Sequence, residues 1–230
     1  MFLFTLTQEF VRQGTATESH AITLLRRAVR RGYDVEAAPD GSVAVNWTYR
    51  RFHPHDENRT LTEPRSLTLT PQILIRGLTE TTRQDLELIQ AAGDRARFET
   101  QSGRQVVTLG FHRIPPAASA RLNERGFITD DHGRARLTLP ALIAMHAQDH
   151  RTHTTIPQGW VRPSETGHAS AAGLNRPGRR NGLLYSRTSA ALCRCGDLSI
   201  HADTRDEARR RARDHRLTTT AQFIREALTT

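Results

Sequence analysis

The sequence has no lysine: all 33 basic residues among its 230 are arginine. That excludes chemistry built on a lysine amine, including a Walker A phosphate loop, a pyridoxal Schiff base and the phosphate-binding lysine of a protein kinase. Cysteine is nearly absent as well. Cys193 and Cys195 are the only thiols, too few for a disulfide framework. The apolar share is 37%, with aromatics at 6%, slightly lean for a globular chain even after glycine is added. About two thirds of the sequence has the composition of a core-forming protein. No run approaches the ~18 apolar residues of a membrane span. The opening Met1-Phe2-Leu3-Phe4 lacks the basic region and longer apolar stretch of a signal peptide, so a cytoplasmic protein with reduced thiols is expected. There is no G-x-S-x-G elbow, no G-x-G-x-x-G behind a strand, and no carboxylate pair placed for acid–base work. A non-enzymatic role is favoured.

Periodicity predicts an α+β protein in four parts. In residues 1–72, Ile22, Leu25 and Val29 recur at helical spacing over Thr17–Arg31, with Arg26, Arg27, Arg30 and Arg31 opposite and Gly32 as the stop. Tyr33–Ala38 and Val43–Tyr49 flank Pro39-Asp40-Gly41-Ser42 as a hairpin. Arg50–Pro64 reads as a polar loop, and Ser66–Thr70 alternates as a strand.

Residues 73–150 open with a helix capped at Thr79 or Thr82 and closed by Gly93. A strand pair around Ser102-Gly103 follows, then a short helix begun by Pro115-Pro116 and ended by Gly126. A second hairpin turns at Asp130–Gly133, and Pro140 opens a last helix. Leu122-Asn123-Glu124-Arg125-Gly126-Phe127-Ile128 followed by Arg134-Ala135-Arg136-Leu137-Thr138-Leu139 resembles the second half of a winged helix. In that resemblance Arg134 and Arg136 stand on the wing beside a DNA groove. The departure is a strand pair where a winged helix carries another helix.

Charge is unevenly spread. Residues 1–72 and 73–150 each carry a net +1, residues 151–190 carry +5 and residues 191–230 carry +2. The segment 151–189 is rich in Gly, Pro, Ser, Thr and Arg and reads as a linker. Arg176, Arg179 and Arg180 within it have the planar forks that suit phosphate. A solvated, arginine-biased linker is the plain alternative.

The last part, 190–230, reads as a hairpin around Cys193-Arg194-Cys195-Gly196 and a helix begun at Asp203 or Thr204, with Thr204 and Glu207 as a capping box. Cys193, Cys195, His201 and His215 form a candidate structural zinc set, since thiolate and imidazole are the ligands of a closed tetrahedral site. His215 continues the face of Ala208 and Ala212, while Arg209, Arg210 and Arg213 lie opposite and add basic charge. Two free thiols in a small hairpin-helix module is the competing reading. A redox dithiol fits less well because the spacing is not C-x-x-C. His146, His150 and His153 form a second histidine cluster, which would suit a metal-dependent enzyme, but Ala147 stands where a zinc protease has its glutamate. Histidines favoured by a helix end are the commoner explanation, and His53-Pro54-His55-Asp56 is a weaker case.

The run Gly173-Leu174-Asn175-Arg176-Pro177-Gly178-Arg179-Arg180-Asn181-Gly182-Leu183-Leu184-Tyr185, with Cys193-Arg194-Cys195-Gly196 and Ala16-Thr17-Glu18-Ser19-His20-Ala21, resembles a group of uncharacterised actinobacterial proteins. Such proteins accompany plasmids and integrative elements, which implies a nucleic-acid role and no activity. The expectation is a DNA-associated accessory or regulatory protein that binds duplex DNA through its arginines and carries a structural zinc. The alternative is an adaptor whose arginines meet an acidic protein partner.

Overall fold

Helix α1 spans Glu18–Arg30 in the computed structural model, which describes residues 3–9, 11–53, 56–76, 78–101, 103–155, 159–161, 179–180, 183–186 and 189–228. Thr17, read from the sequence as the first helical residue, is its N-cap, its hydroxyl accepting the backbone N–H of His20 at 3.3 Å. The apolar stripe Ala21, Leu25, Ala28 and Val29 is buried. It joins one hydrophobic cluster with Phe4, Val35, Val43, Val45 and Leu69 of an antiparallel sheet. That sheet has the order β2-β1-β5-β4-β3, built from β1 (Leu3–Gln8), β2 (Val11–Thr17), β3 (Asp34–Ala37), β4 (Val43–His53) and β5 (Asp56–Pro71).

Within the polar stretch expected as a loop at Arg50–Pro64, residues 50–53 belong to β4 and 56–64 to β5, and residues 54 and 55 lie outside the described residues. Pairing continues without a break from Val43↔Leu69 through Tyr49↔Glu63 to Phe52↔Thr60. The ribbon is concealed in sequence because alternation of apolar and polar residues stops where the strands pass beyond the core, while pairing does not.

The second half of this unit is built on α2 (Glu80–Ala92), capped by Thr79 and closed by Gly93 at φ +54°. An antiparallel sheet follows with the order β8-β7-β6-β10-β9. Its strands are β6 (Ala96–Gln101), β7 (Arg104–Leu109), β8 (His112–Ile114), β9 (Ile128–Asp131) and β10 (Arg134–Leu137), with α3 (Pro116–Glu124) between β8 and β9. Leu86, Ile89, Val107, Leu122, Phe127 and Ile128 pack in a second cluster. The resemblance to a winged helix stops here. Three strands precede α3, and β10 pairs with β6 through Arg134↔Arg97, so the hairpin is the margin of a five-stranded sheet and not a free wing. Helix α4 (Leu139–Asp149) follows.

The chain divides into two compact units, Met1–Ala147 with Thr220–Thr230, and Gln148–Thr219. The boundary expected near residue 72 falls inside the first unit, where it separates the two hydrophobic clusters, apart from Leu139, Ile143, Ile224 and Leu228, which join the first cluster.

In the second unit, part of the expected linker forms strands. β11 (Thr152–Thr155) pairs with β15 (Ser189–Cys193), which pairs in turn with β16 (Ser199–Ala202). β12 (Gly159–Val161), β14 (Leu183–Ser186) and β13 (Arg179–Arg180) make a separate three-stranded sheet. Arg176 lies outside the described residues. Helix α5 runs unbroken over Arg205–Glu226, with Glu207 N–H donating to Thr204 Oγ1 at 3.1 Å.

Candidate metal centre

The β15–β16 hairpin turns through Cys193-Arg194-Cys195-Gly196. Gly196 N–H donates to the Cys193 carbonyl at 3.1 Å, and Cys193 N–H donates to the Leu198 carbonyl at 2.9 Å. Gly196 sits at φ +87°, a left-handed conformation that a side chain would strain. The tight turn brings both thiols to one end of the hairpin. Cys195 Sγ accepts the backbone N–H of Asp197 at 3.4 Å, which fixes the side chain's direction at the turn.

The third ligand candidate comes from α5. Ala208 and Ala212 are fully buried in a cluster with Ala191 and Ala202, and His215 follows one turn later on the same face. Its Nε2 lies 3.3 Å from Cys195 Sγ.

The fourth comes from the start of this unit. Thr152 pairs with Cys193, and Arg194 N–H donates to the Arg151 carbonyl at 3.1 Å. Continued by one residue, that antiparallel register sets His150 opposite Cys195. The His150 and His215 rings are 5.6 Å apart and tilted by 58°. Cys193 Sγ is 3.8 Å from the Asp149 carbonyl, to which it donates, and Arg216 secures α5 to β11 through a 2.6 Å bond to Thr152 Oγ1.

One ligand atom from each of His150, Cys193, Cys195 and His215 falls within 4.8 Å of the others. Metal–ligand bonds of about 2.3 Å to sulfur and 2.0–2.1 Å to nitrogen set tetrahedral ligand–ligand edges at roughly 3.3–3.8 Å. The Cys195–His215 separation already has that length, and the group as a whole closes onto an ion with shifts of about 1 Å or less. This His/Cys/Cys/His group can hold a metal ion.

Burial pushes the Cys193 thiol up from its ordinary value, and the neighbouring Cys195 adds to this while backbone N–H groups oppose it. Burial, then the neighbouring His215, lower His150, with Asp149 and Asp197 opposing. The neutral imidazole so favoured is the form that ligates a metal.

Three of the four expected ligands therefore come together, and His201 does not. His201 pairs with Ala190 in β16 and is exposed, because the alternate residues Ile200 and Ala202 turn toward the alanine cluster. His150 stands in its stead. The histidine cluster His146/His150/His153 is not assembled. His146 is buried, stacked on Phe223 at 4.6 Å and 3.3 Å from Thr220 Oγ1, a packing role. His153 is exposed on β11. The sequence groups His150 with His146 and His153 and not with the cysteines, because Thr152–Thr155, four residues of a Thr/His strand without apolar alternation, reads as linker.

The arginines expected on DNA divide into three sets. Arg134 is bound to Asp94 at 2.8 Å, and Arg136 to Asp131 at 3.0 Å with Asp94 at 3.9 Å, so the hairpin pair already has carboxylate partners. Arg209, Arg210 and Arg213 are exposed on α5, with Arg209 3.8 Å from Asp206. Arg179 and Arg180 form β13. Among the described residues no helix is long and apolar enough to cross a membrane. Comparison with family models, curated proteins and solved structures finds no significant match to this chain.

Proposed function

We propose that residues 148–219 form a zinc-held module and that the chain is a non-enzymatic accessory protein that associates with duplex DNA. The His150/Cys193/Cys195/His215 group carries the reading. Two thiolates with two imidazoles select zinc over the hard cations magnesium and calcium, and four protein ligands leave no open position for a substrate. The thin core beside the site supports it. Among the described residues its buried members are four alanines, with Leu198 and Ile200 partly buried against them; the alanine methyls contribute roughly 3 kcal/mol at about 0.8 kcal/mol each, against about 10–16 kcal/mol for zinc in small structural sites.

The DNA part rests on charge. Residues 148–219 hold 13 arginines against 7 acidic residues, a net +6 of the chain's +9. Arg209, Arg210 and Arg213 share the exposed face of α5 opposite the buried alanines, and Arg176, Arg179 and Arg180 add to the same unit's charge. Arginine forks bind phosphate bidentately.

The test is a titration of the full chain with a mixed-sequence duplex over a series of salt concentrations. Several phosphate contacts give a steep fall of affinity with salt. Replacing Arg209, Arg210 and Arg213 by Gln should flatten the slope by about 2–3, at roughly 0.9 per phosphate, and weaken unrelated sequences equally. Absence of duplex binding at low salt would remove DNA as the partner and leave an acidic protein in its place.

A further inference from the structure

We infer a second nucleic-acid surface in the first unit, one that takes a single strand by stacking its bases on the β4 face beside α1. It goes beyond the duplex reading and stands on different residues. Val43, Val45, Trp47 and Tyr49 occupy alternate positions of β4, on the face that α1 covers only in part. Val43 and Val45 are buried under the helix, whereas Tyr49, farther along the strand, is 49% exposed. Between them Trp47 stacks on Tyr33, ring centroids 5.3 Å apart and planes at 16°. Arg27 and Arg31, one helical turn apart on α1, wall the same open groove, whose volume is about 420 Å³. That lies within the roughly 300–1,000 Å³ of small-ligand sites and is ample for one nucleotide.

Charge selects the occupant. Arg27 makes no ion pair or side-chain hydrogen bond among the described residues, and Arg31 bonds only the Tyr33 hydroxyl, at 3.5 Å. The carboxylates next to this face, Glu9 and Glu63, are both bound by Arg65, at 2.6 and 2.9 Å. Arg65 itself lies 5.8 Å from the Tyr49 ring centroid. On the other side of the α1 ridge, Arg26, Arg30 and Arg225 surround a second groove of about 310 Å³, again with no carboxylate in its walls. Uncompensated guanidinium groups flanking an exposed ring are the two halves of single-strand recognition, phosphate neutralisation and base stacking. A duplex offers only the first, because its bases are already stacked on one another.

Trp47 supplies the readout. In full-length protein carrying Trp160→Phe, Trp47 is the remaining tryptophan. With Arg209, Arg210 and Arg213 also replaced by Gln, the protein is titrated with oligodeoxythymidylate, with a duplex of equal length and with inorganic polyphosphate. The single strand should quench Trp47 and bind at least about tenfold tighter than either other probe. Tyr49→Ala should weaken the single strand roughly tenfold and Tyr49→Phe hardly at all. Arg27→Gln with Arg31→Gln should lower the salt slope by about 1.4. Equal affinity for polyphosphate, an unquenched Trp47, or an unaffected Tyr49→Ala each overturns the inference. If the α5 replacements abolish single-strand binding entirely, the surface is refuted while the duplex reading stands.

Discussion

The backbone N–H of Leu139, the first residue of α4, donates to Glu18 Oε1 at 2.6 Å across 121 residues of sequence. Glu18 thereby satisfies one of the orphan donors at a helix start, beside Thr138, whose hydroxyl accepts Ala141 N–H at 3.3 Å. Burial raises the Glu18 carboxyl above its ordinary range despite the opposing Leu139 bond. A raised folded-state value means that the folded chain holds the proton more tightly than the unfolded one. Its contribution to stability is complete below the ordinary glutamate range and is lost as pH rises through the raised value. Glu18→Gln keeps an acceptor and removes the charge. The variant should be more stable than wild type near neutral pH, and the difference should shrink on acidification. Denaturant midpoints at a series of pH values check this; an advantage that grows on acidification contradicts it.

Gly41 is held against Pro140. A Cβ at Gly41 would lie 2.8 Å from both Cβ and the carbonyl oxygen of Pro140, and the backbone there has φ +83°. Relief would have to come from backbone, because one of the close atoms is a carbonyl. Gly41→Ala should cost about 2–5 kcal/mol, combining left-handed strain of about 1–2 kcal/mol with overpacking of about 1–3 kcal/mol. Gly103→Ala, with nothing within 4 Å of its Cβ at φ +75°, should cost only the conformational part. Comparable losses at the two sites in thermal unfolding would discount the Pro140 contact.

Most of the helices and tight turns were legible in the sequence because their signals are local. Thr79, one of two candidate caps, and Thr204 cap their helices, and Gly93 closes α2, where expected. What escaped notice depends on pairing at a distance. β1 alternates only over Phe4–Thr7, too short a run to declare a strand, β2 does not alternate, and β4 and β5 continue past the core as a polar ribbon. The metal group shows the same division. Cys193, Cys195 and His215 could be read from a turn and a helical face, whereas His150 is brought in by the register of β11 on β15. His201 stands on the exposed face of β16, and two cysteines with a nearby histidine carry no information on which way that strand turns.

Arg134 and Asp94 form an exposed ion pair at 2.8 Å, with side-chain exposures of 44% and 77%. Such pairs contribute roughly 0.2–1 kcal/mol. Arg134→Gln should therefore leave stability almost unchanged and duplex affinity nearly intact, since the guanidinium is already engaged. The double variant with Arg136→Gln should behave alike. A loss of duplex affinity matching that of the α5 replacements would return the β9–β10 hairpin to the DNA surface.

His150 and His201 give the sharpest contrast at the metal centre. His201 lies within β16 and His150 two residues before β11, yet only His150 reaches the thiols. Purified, reduced protein should carry about one zinc per chain. His150→Ala leaves three ligands and should lower zinc occupancy under competing chelator by tenfold or more, while His201→Ala should match wild type. Cys193→Ser removes a buried ligand and should release the metal outright. Metal loss should expose residues 148–219 to protease, because the small cluster among the described residues, four buried alanines with Leu198 and Ile200 partly buried against them, is a weak replacement for the link between residues 150 and 215. The cluster packed from Phe4, Leu25, Val43 and Leu69 contains none of the four ligands, so the first unit should stay protected in the same digest. A His201→Ala variant that loses zinc while His150→Ala keeps it would reverse the ligand assignment, and a protein free of metal with a protected second unit would dismiss the site.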